Sequence, residues 1–102
     1  MSIENNTSSV QSFYRKVRDF SVQTPDWATA IRYFTQPDER KDLTLVSRRV
    51  YGRVDEFIAV MAAAGLDSVE QEMPEQLLVL PTESQLYKMK LDAGYVNDAS
   101  AR

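Results

Sequence analysis

The sequence predicts a small α+β domain, a strand–helix–helix–strand module flanked by an N-terminal helix or arm and a C-terminal helix. Three observations predict it. Between Leu43 and Leu66 two apolar stripes run at helical spacing, separated by a single glycine, Gly52. Two short segments that suit strands, WATAIRYFTQ and LLVLP, bracket that pair. The length, 102 residues, fits one domain and not two independent cores.

In chain order, Ser8 or Ser9 is expected to cap a helix whose Val10, Phe13, Tyr14 and Val17 follow the i, i+3, i+4, i+7 rule, with Phe20 extending the stripe. The polar stretch from Ser2 to Thr7 is expected to fray. Such a stripe serves equally as core or as an arm that lays its aromatics in a partner's groove. Thr24-Pro25-Asp26 predicts a turn, and Trp27, Thr29, Ile31 and Tyr33 then alternate with Ala28, Ala30, Arg32 and Phe34 as a strand does. Pro37 stops that pattern, because it has no amide hydrogen for a ladder and turns its predecessor away from helix.

Asp42 is the expected cap of the next helix, with Leu43, Val46, Val50 and Tyr51 on one face and Gly52 closing it in the left-handed conformation. Val54, Phe57, Ile58 and Met61 repeat the spacing, Ala62 to Ala64 allow close approach, and Gly65 stops the second helix with Leu66 folding back. An acidic loop then leads to LLVLP, a strand bounded by Pro81. The expected core is Ile31 or Phe34 with Val46, Val50, Phe57, Ile58, Met61, Leu78 and Leu80. Thr82-Glu83-Ser84-Gln85 fits a capping box, Leu86, Met89 and Ala93 line a last helix, Gly94 ends it, and 97–102 is expected to be a loose tail. The organisation is therefore an arm with an amphipathic helix over 1–30, a module over 31–81, and a helix with its tail over 82–102.

Composition narrows the function. Hydrophobic residues are 43% and charged residues 26%, as in a globular protein, and no run approaches the roughly 18 apolar residues of a membrane span. The first residues lack the basic start and apolar core of a secretory signal. Cysteine and histidine are absent, so disulfides, thiolate zinc sites and the commonest general base and metal ligand are all missing. No phosphate-binding loop, nucleophile elbow or calcium loop is present, so no catalytic residue, cofactor or metal site is expected.

A net charge of −3 disfavours nucleic acid as a partner. The charges are segregated. Arg40, Lys41, Arg48, Arg49 and Arg53 crowd one segment, whereas Val54 to Tyr87 holds no Lys or Arg and gathers Asp55, Glu56, Asp67, Glu70, Glu72, Glu75 and Glu83. These are either two solvated faces or the two sides of a dipolar subunit that docks basic against acidic.

The succession RYFTQ, DLTLVSRRVYG, VDEFIAVMAAAGL and EQLLVLP resembles a LysM domain, and more closely the LysM-like modules of tail and baseplate proteins of contractile-tailed bacteriophages. The resemblance rests on Asp42, Val46, Val50, Tyr51 and Gly52, then Leu77 to Pro81, and spans residues 31–81, about half the chain. It implies a LysM-like strand–helix–helix–strand fold and a non-enzymatic structural subunit of a virion tail or baseplate, made in the host cytoplasm. Partners implied are other tail or baseplate proteins, in several copies within a symmetric assembly, with neither membrane nor nucleic acid involved. Peptidoglycan or chitin-type glycan binding is the alternative. Against it, the glycine that opens the first helix of cell-wall repeats is missing before Asp42, and Ala64-Gly65 stands in place of their asparagine. The segments matching their sugar-gripping loops, 36–41 and 67–73, carry no aromatic for a sugar to stack on. A small regulator binding a protein helix is a third reading. The expected partner-binding residues are Phe13, Tyr14, Val17, Phe20 and Trp27, with Arg48, Arg49 and Arg53 supplying charge complementarity.

Overall fold

The first helix begins earlier than its apolar stripe. In the computed structural model, which describes residues 3–95 and side chains from Ser8 onward, α1 spans Ile3–Gln23. No cap forms at Ser8 or Ser9, because the polar residues before them lack only a few tenths of a kcal/mol of helix propensity each and contain neither Pro nor Gly. The helix does not stand away as an arm. It lies against three later elements, and Phe13 and Val17 are wholly enclosed, so of the two readings of this stripe the core is the one realised. Phe13 stacks on Tyr95 with ring centroids 5.0 Å apart.

The strand expected across WATAIRYFTQ contracts to β1, Ile31–Phe34. Residues 25–28 are a turn closed by the Ala28 N–H donating to the Pro25 carbonyl, and Arg32 Nη2 fixes it by donating to the carbonyls of Pro25 and Ala28. After β1, Pro37–Glu39 form one tight 3-10 turn.

The helical hairpin follows the apolar pattern closely. The first helix, α2, is Leu43–Tyr51, with the Asp42 carboxylate accepting from the Leu45 N–H at 3.2 Å. Gly52 ends it at φ +78°, a conformation that costs a residue with a Cβ about 1–2 kcal/mol. The second, α3, is Phe57–Ala64, closed by Gly65 at φ +75° with the Leu66 N–H reaching back to the Met61 carbonyl. Val54, expected on the α3 stripe, lies before the helix in the connecting turn and is exposed.

The returning strand β2, Leu77–Leu80, runs antiparallel to β1 with Ile31 opposite Leu80 and Phe34 opposite Leu77. Side chains alternate across the pair, so Ile31, Tyr33, Leu78 and Leu80 turn inward while Arg32, Phe34, Leu77 and Val79 turn outward. Ile31 rather than Phe34 is thus the inward choice. The last helix, α4, is Glu83–Ala93, opened by the Thr82–Gln85 capping box and ended at Gly94. The tail at 97–102 lies outside the described residues.

The described residues form a small α+β protein, with four α-helices and one two-stranded antiparallel sheet among them. α1 and α3 face one another over a core built from Phe13, Val17, Val46, Val60, Leu78, Leu80 and Leu86. Among the described residues no helix is long and apolar enough to cross a membrane.

Candidate functional site

The eight residues expected to meet a partner do not form one surface. Phe13 and Val17 are interior, because α1 presents that stripe to α3, α4 and β2 of its own chain. Tyr14 is half-buried, its hydroxyl donating to the Leu66 carbonyl at 2.6 Å, and Phe20 is half-buried farther along α1. Trp27 is the clear exception at 87% exposure.

Of the three arginines, only Arg48 projects from α2 without an ion pair among the described residues. Arg49 grips Asp38 through both terminal nitrogens, at 3.0 and 2.9 Å, and donates to Glu39 Oε2 at 2.8 Å. Glu39 is fully buried; its Oε2 also accepts from the Tyr33 hydroxyl, and its Oε1 accepts from the Gln36 N–H at 2.6 Å. The Arg49 bond holds the Asp38 carboxyl below its ordinary range, and burial, with the Glu39 hydrogen bond, raises the Tyr33 hydroxyl. Arg49 thus ties β1 and its tight turn to α2, which spends its charge inside the molecule.

Arg53 is used in the same way at the hairpin turn. It donates from Nε and Nη2 to Glu56 Oε2, at 3.0 and 2.6 Å, and from Nη1 and Nη2 to Glu83 in the first turn of α4. Lys90, from the inner face of α4, donates to the same Glu56 oxygen at 2.6 Å, while among the described residues Glu56 Oε1 has no hydrogen-bond partner. The Arg53 hydrogen bond lowers the Glu83 pKa. This buried Lys90–Glu56 pair was missed by sequence reasoning, yet it left a signal: Lys90 follows Leu86 by four residues, on the stripe that faces the core. Tyr51, at the end of α2, donates its hydroxyl to the Pro81 carbonyl at 2.7 Å, and burial raises its pKa.

One more arginine acts internally. Arg18 Nη1 donates to the carbonyls of Ala62 and Ala63, capping the C-terminus of α3, where a cation also suits the helix dipole. It borders an open groove of about 620 Å³ along α1, shared with Val10, Tyr14, Arg15, Met61 and Asp67.

Apart from these ion pairs, the outward face of the sheet carries exposed apolar side chains. Phe34 and Leu77 stand opposite one another, 57% and 53% exposed, beside the half-buried Val79 and the exposed Arg32. The two edges of this sheet differ. The Thr35 N–H donates to the Gln76 carbonyl, so pairs 31/80 and 33/78 face inward along the ladder and the main chains of Arg32, Phe34, Leu77 and Val79 point to the outer edges. At β2 that edge meets α1, where the Ser21 hydroxyl donates to the Val79 carbonyl at 2.6 Å. At β1, among the described residues, only the Phe34 carbonyl is taken, by its neighbour Gln36 Nε2 at 3.1 Å.

Among the described residues no group of His, Cys, Asp and Glu is arranged to hold a metal ion. Comparison of the chain with models of protein families, with curated proteins and with solved structures finds no match.

Proposed function

We propose that this chain is a non-enzymatic structural subunit of a bacteriophage tail or baseplate, in which residues 31–81 are a LysM-like packing block that joins neighbouring virion proteins. The observation that carries the reading is the Tyr51–Pro81 hydrogen bond across 30 residues of chain. It joins the two stretches on which the resemblance rests, the Tyr-Gly that closes α2 and the Leu-Val-Leu-Pro that closes the module, into one physical unit. Asp42 as the cap of α2 and Gly52 as its left-handed stop support the same reading. The exposed Trp27, Phe34 and Leu77 supply the kind of surface that assembly proteins bury, with aromatic residues prominent.

The glycan-binding alternative is less well supported by the loops. Segments 36–41 and 67–73, which would have to open around a sugar, are fastened to each other instead: the Met73 N–H donates to the Arg40 carbonyl at 2.8 Å, Lys41 approaches Glu72 at 3.5 Å, and the Met73 side chain fills the space beneath.

Two measurements test this. Purified virions, washed in salt and analysed by quantitative mass spectrometry, are expected to retain the chain in fixed stoichiometry; loss on washing would point to a free regulator and defeat the proposal. Pull-down on insoluble peptidoglycan and chitin is expected to leave the chain in the supernatant, and retention comparable to a known binder would replace the structural reading with the glycan one.

A further inference from the structure

We infer that the open edge of β1 is a self-pairing edge, on which a second copy of this chain adds its own β1 antiparallel about a two-fold axis at Tyr33. The inference names one partner for the assembly role proposed above.

Arg32 and Phe34 direct their amide and carbonyl groups away from β2, and no described residue hydrogen-bonds to their N–H groups or to the Arg32 carbonyl. Among the described residues no helix or other strand makes more than a marginal contact with β1 apart from β2, whereas β2 is bordered by α1. An extended segment is the shape that uses such groups, since a strand alone presents donors and acceptors at the matching repeat.

The side chains select which segment. With the axis at Tyr33, Arg32 of one copy lies opposite Phe34 of the other, and the reverse pair is identical, as a two-fold interface requires. The outward main-chain groups of residues 32 and 34 then meet as hydrogen-bonded pairs, the Phe34 carbonyl accepting from the partner strand in place of, or beside, the Gln36 side-chain amide. Each guanidinium comes to the face of an exposed ring, a favourable cation–aromatic contact, and Arg32 is free to do so because only Nη2 is engaged by the 25–28 turn. A shift of the axis by one residue, to Arg32, would set the two cations directly opposite one another, which is unfavourable on a sheet.

Charge complementarity points the same way. The Phe34 end of the sheet is where the acidic loop enters β2, and Glu70 and Glu75 of that loop have no ion pair among the described residues. The register delivers the partner's Arg32 to this acidic end. It also carries the turn bearing Trp27 of each copy toward the segment that follows Phe34 in the other. Four-residue strands bury less than an interface of standard size, so the isolated dimer is expected to be weak, with a dissociation constant on the order of 100 μM.

The test uses the purified full chain. Sedimentation equilibrium up to millimolar concentration is expected to show monomer and dimer, and hydrogen exchange is expected to slow at the Arg32 and Phe34 amides as concentration rises, while Tyr33 stays protected throughout. Phe34→Lys places like charges across the axis and should weaken the dimer at least tenfold without altering the far-ultraviolet circular dichroism. Phe34→Glu, which sets a carboxylate opposite the partner's Arg32 and leaves the Arg32 bonds to the 25–28 turn in place, should hold the dimer to within threefold of the unaltered chain. A chain monomeric at millimolar concentration, a dimer indifferent to Phe34→Lys, a Phe34→Glu chain weakened as much as Phe34→Lys, or protection arising at other amides would each overturn the pairing. None of these readouts uses a virion, so failure here is distinguishable from failure of the structural-subunit reading.

Discussion

Two glycines with nearly the same dihedral angle make different demands on their surroundings. Gly52 and Gly65 both end helices at positive φ, but a Cβ at Gly52 would meet nothing within 4 Å, whereas at Gly65 it would lie 2.9 Å from Arg18 Nη1. Gly52→Ala should therefore cost only the backbone strain, about 1–2 kcal/mol. Gly65→Ala adds to that strain the displacement of the Arg18 guanidinium from the Ala62 and Ala63 carbonyls, and should cost about 1 kcal/mol more. Urea denaturation of both variants and of Arg18→Met checks this: in the Arg18→Met background the extra cost at Gly65 should vanish, and two glycine variants of equal stability would show that Arg18 contributes nothing there.

At the scale of elements, α1 is part of the core and not an accessory to it. Phe13 and Val17 are fully enclosed, so Phe13→Ala should cost about 3–5 kcal/mol, and Phe13→Asp, which also buries an unpaired carboxylate, should abolish cooperative thermal unfolding. A Phe13→Asp chain that melts with the wild-type transition would mean that α1 is dispensable to the fold. The apolar spacing made α2, α3, β2 and α4 legible, because Asp42, Gly52, Gly65, Thr82 and Gln85 are terminators whose chemistry acts over three or four residues. What a helix turns toward is not encoded in its own period. The Phe13–Val17 stripe reads the same whether its groove belongs to this chain or to another, and only the tertiary placement of α3 and α4 decides. The strand that alternation predicts over WATAIRYFTQ contracts for a similar reason: the pattern at Trp27 and Thr29 is overridden by the turn at Pro25 and by Arg32, whose carbonyl partners lie four and seven residues away. Of the expected interface, Trp27 is on the surface, whereas Arg49 and Arg53 are bound to Asp38, Glu39, Glu56 and Glu83, partners that no local pattern announces.

For the molecule as a whole, these ion pairs set how stability follows pH. Asp38 and Glu83 have folded-state pKa values below their ordinary 3.8 and 4.5, so each contributes stability that is complete above those values and is lost as pH falls through the depressed ones. Both groups are largely exposed, so this loss should be modest. Tyr33, Tyr51 and Tyr95 are raised above 10.0, chiefly by burial, so each favours the fold below pH 10 and its contribution disappears as pH climbs toward the folded values. Stability is therefore expected to be level through the neutral range, to decline below about pH 4, and to fall more steeply above pH 10. Denaturation midpoints across pH, followed alongside tyrosinate absorbance, check it. Ionisation of all five tyrosines before unfolding would contradict the burial of Tyr51.

The Ser21 hydroxyl on the Val79 carbonyl has a consequence for how large any sheet can grow. A strand pair with two bare margins recruits copies without limit and ends as a fibre. Here α1 seals one margin, so addition at the other is self-terminating: a chain that has accepted one neighbour has no place left for the next. On the proposed pairing, a sheet of two chains is therefore closed, with α1 lying against both of its outer margins.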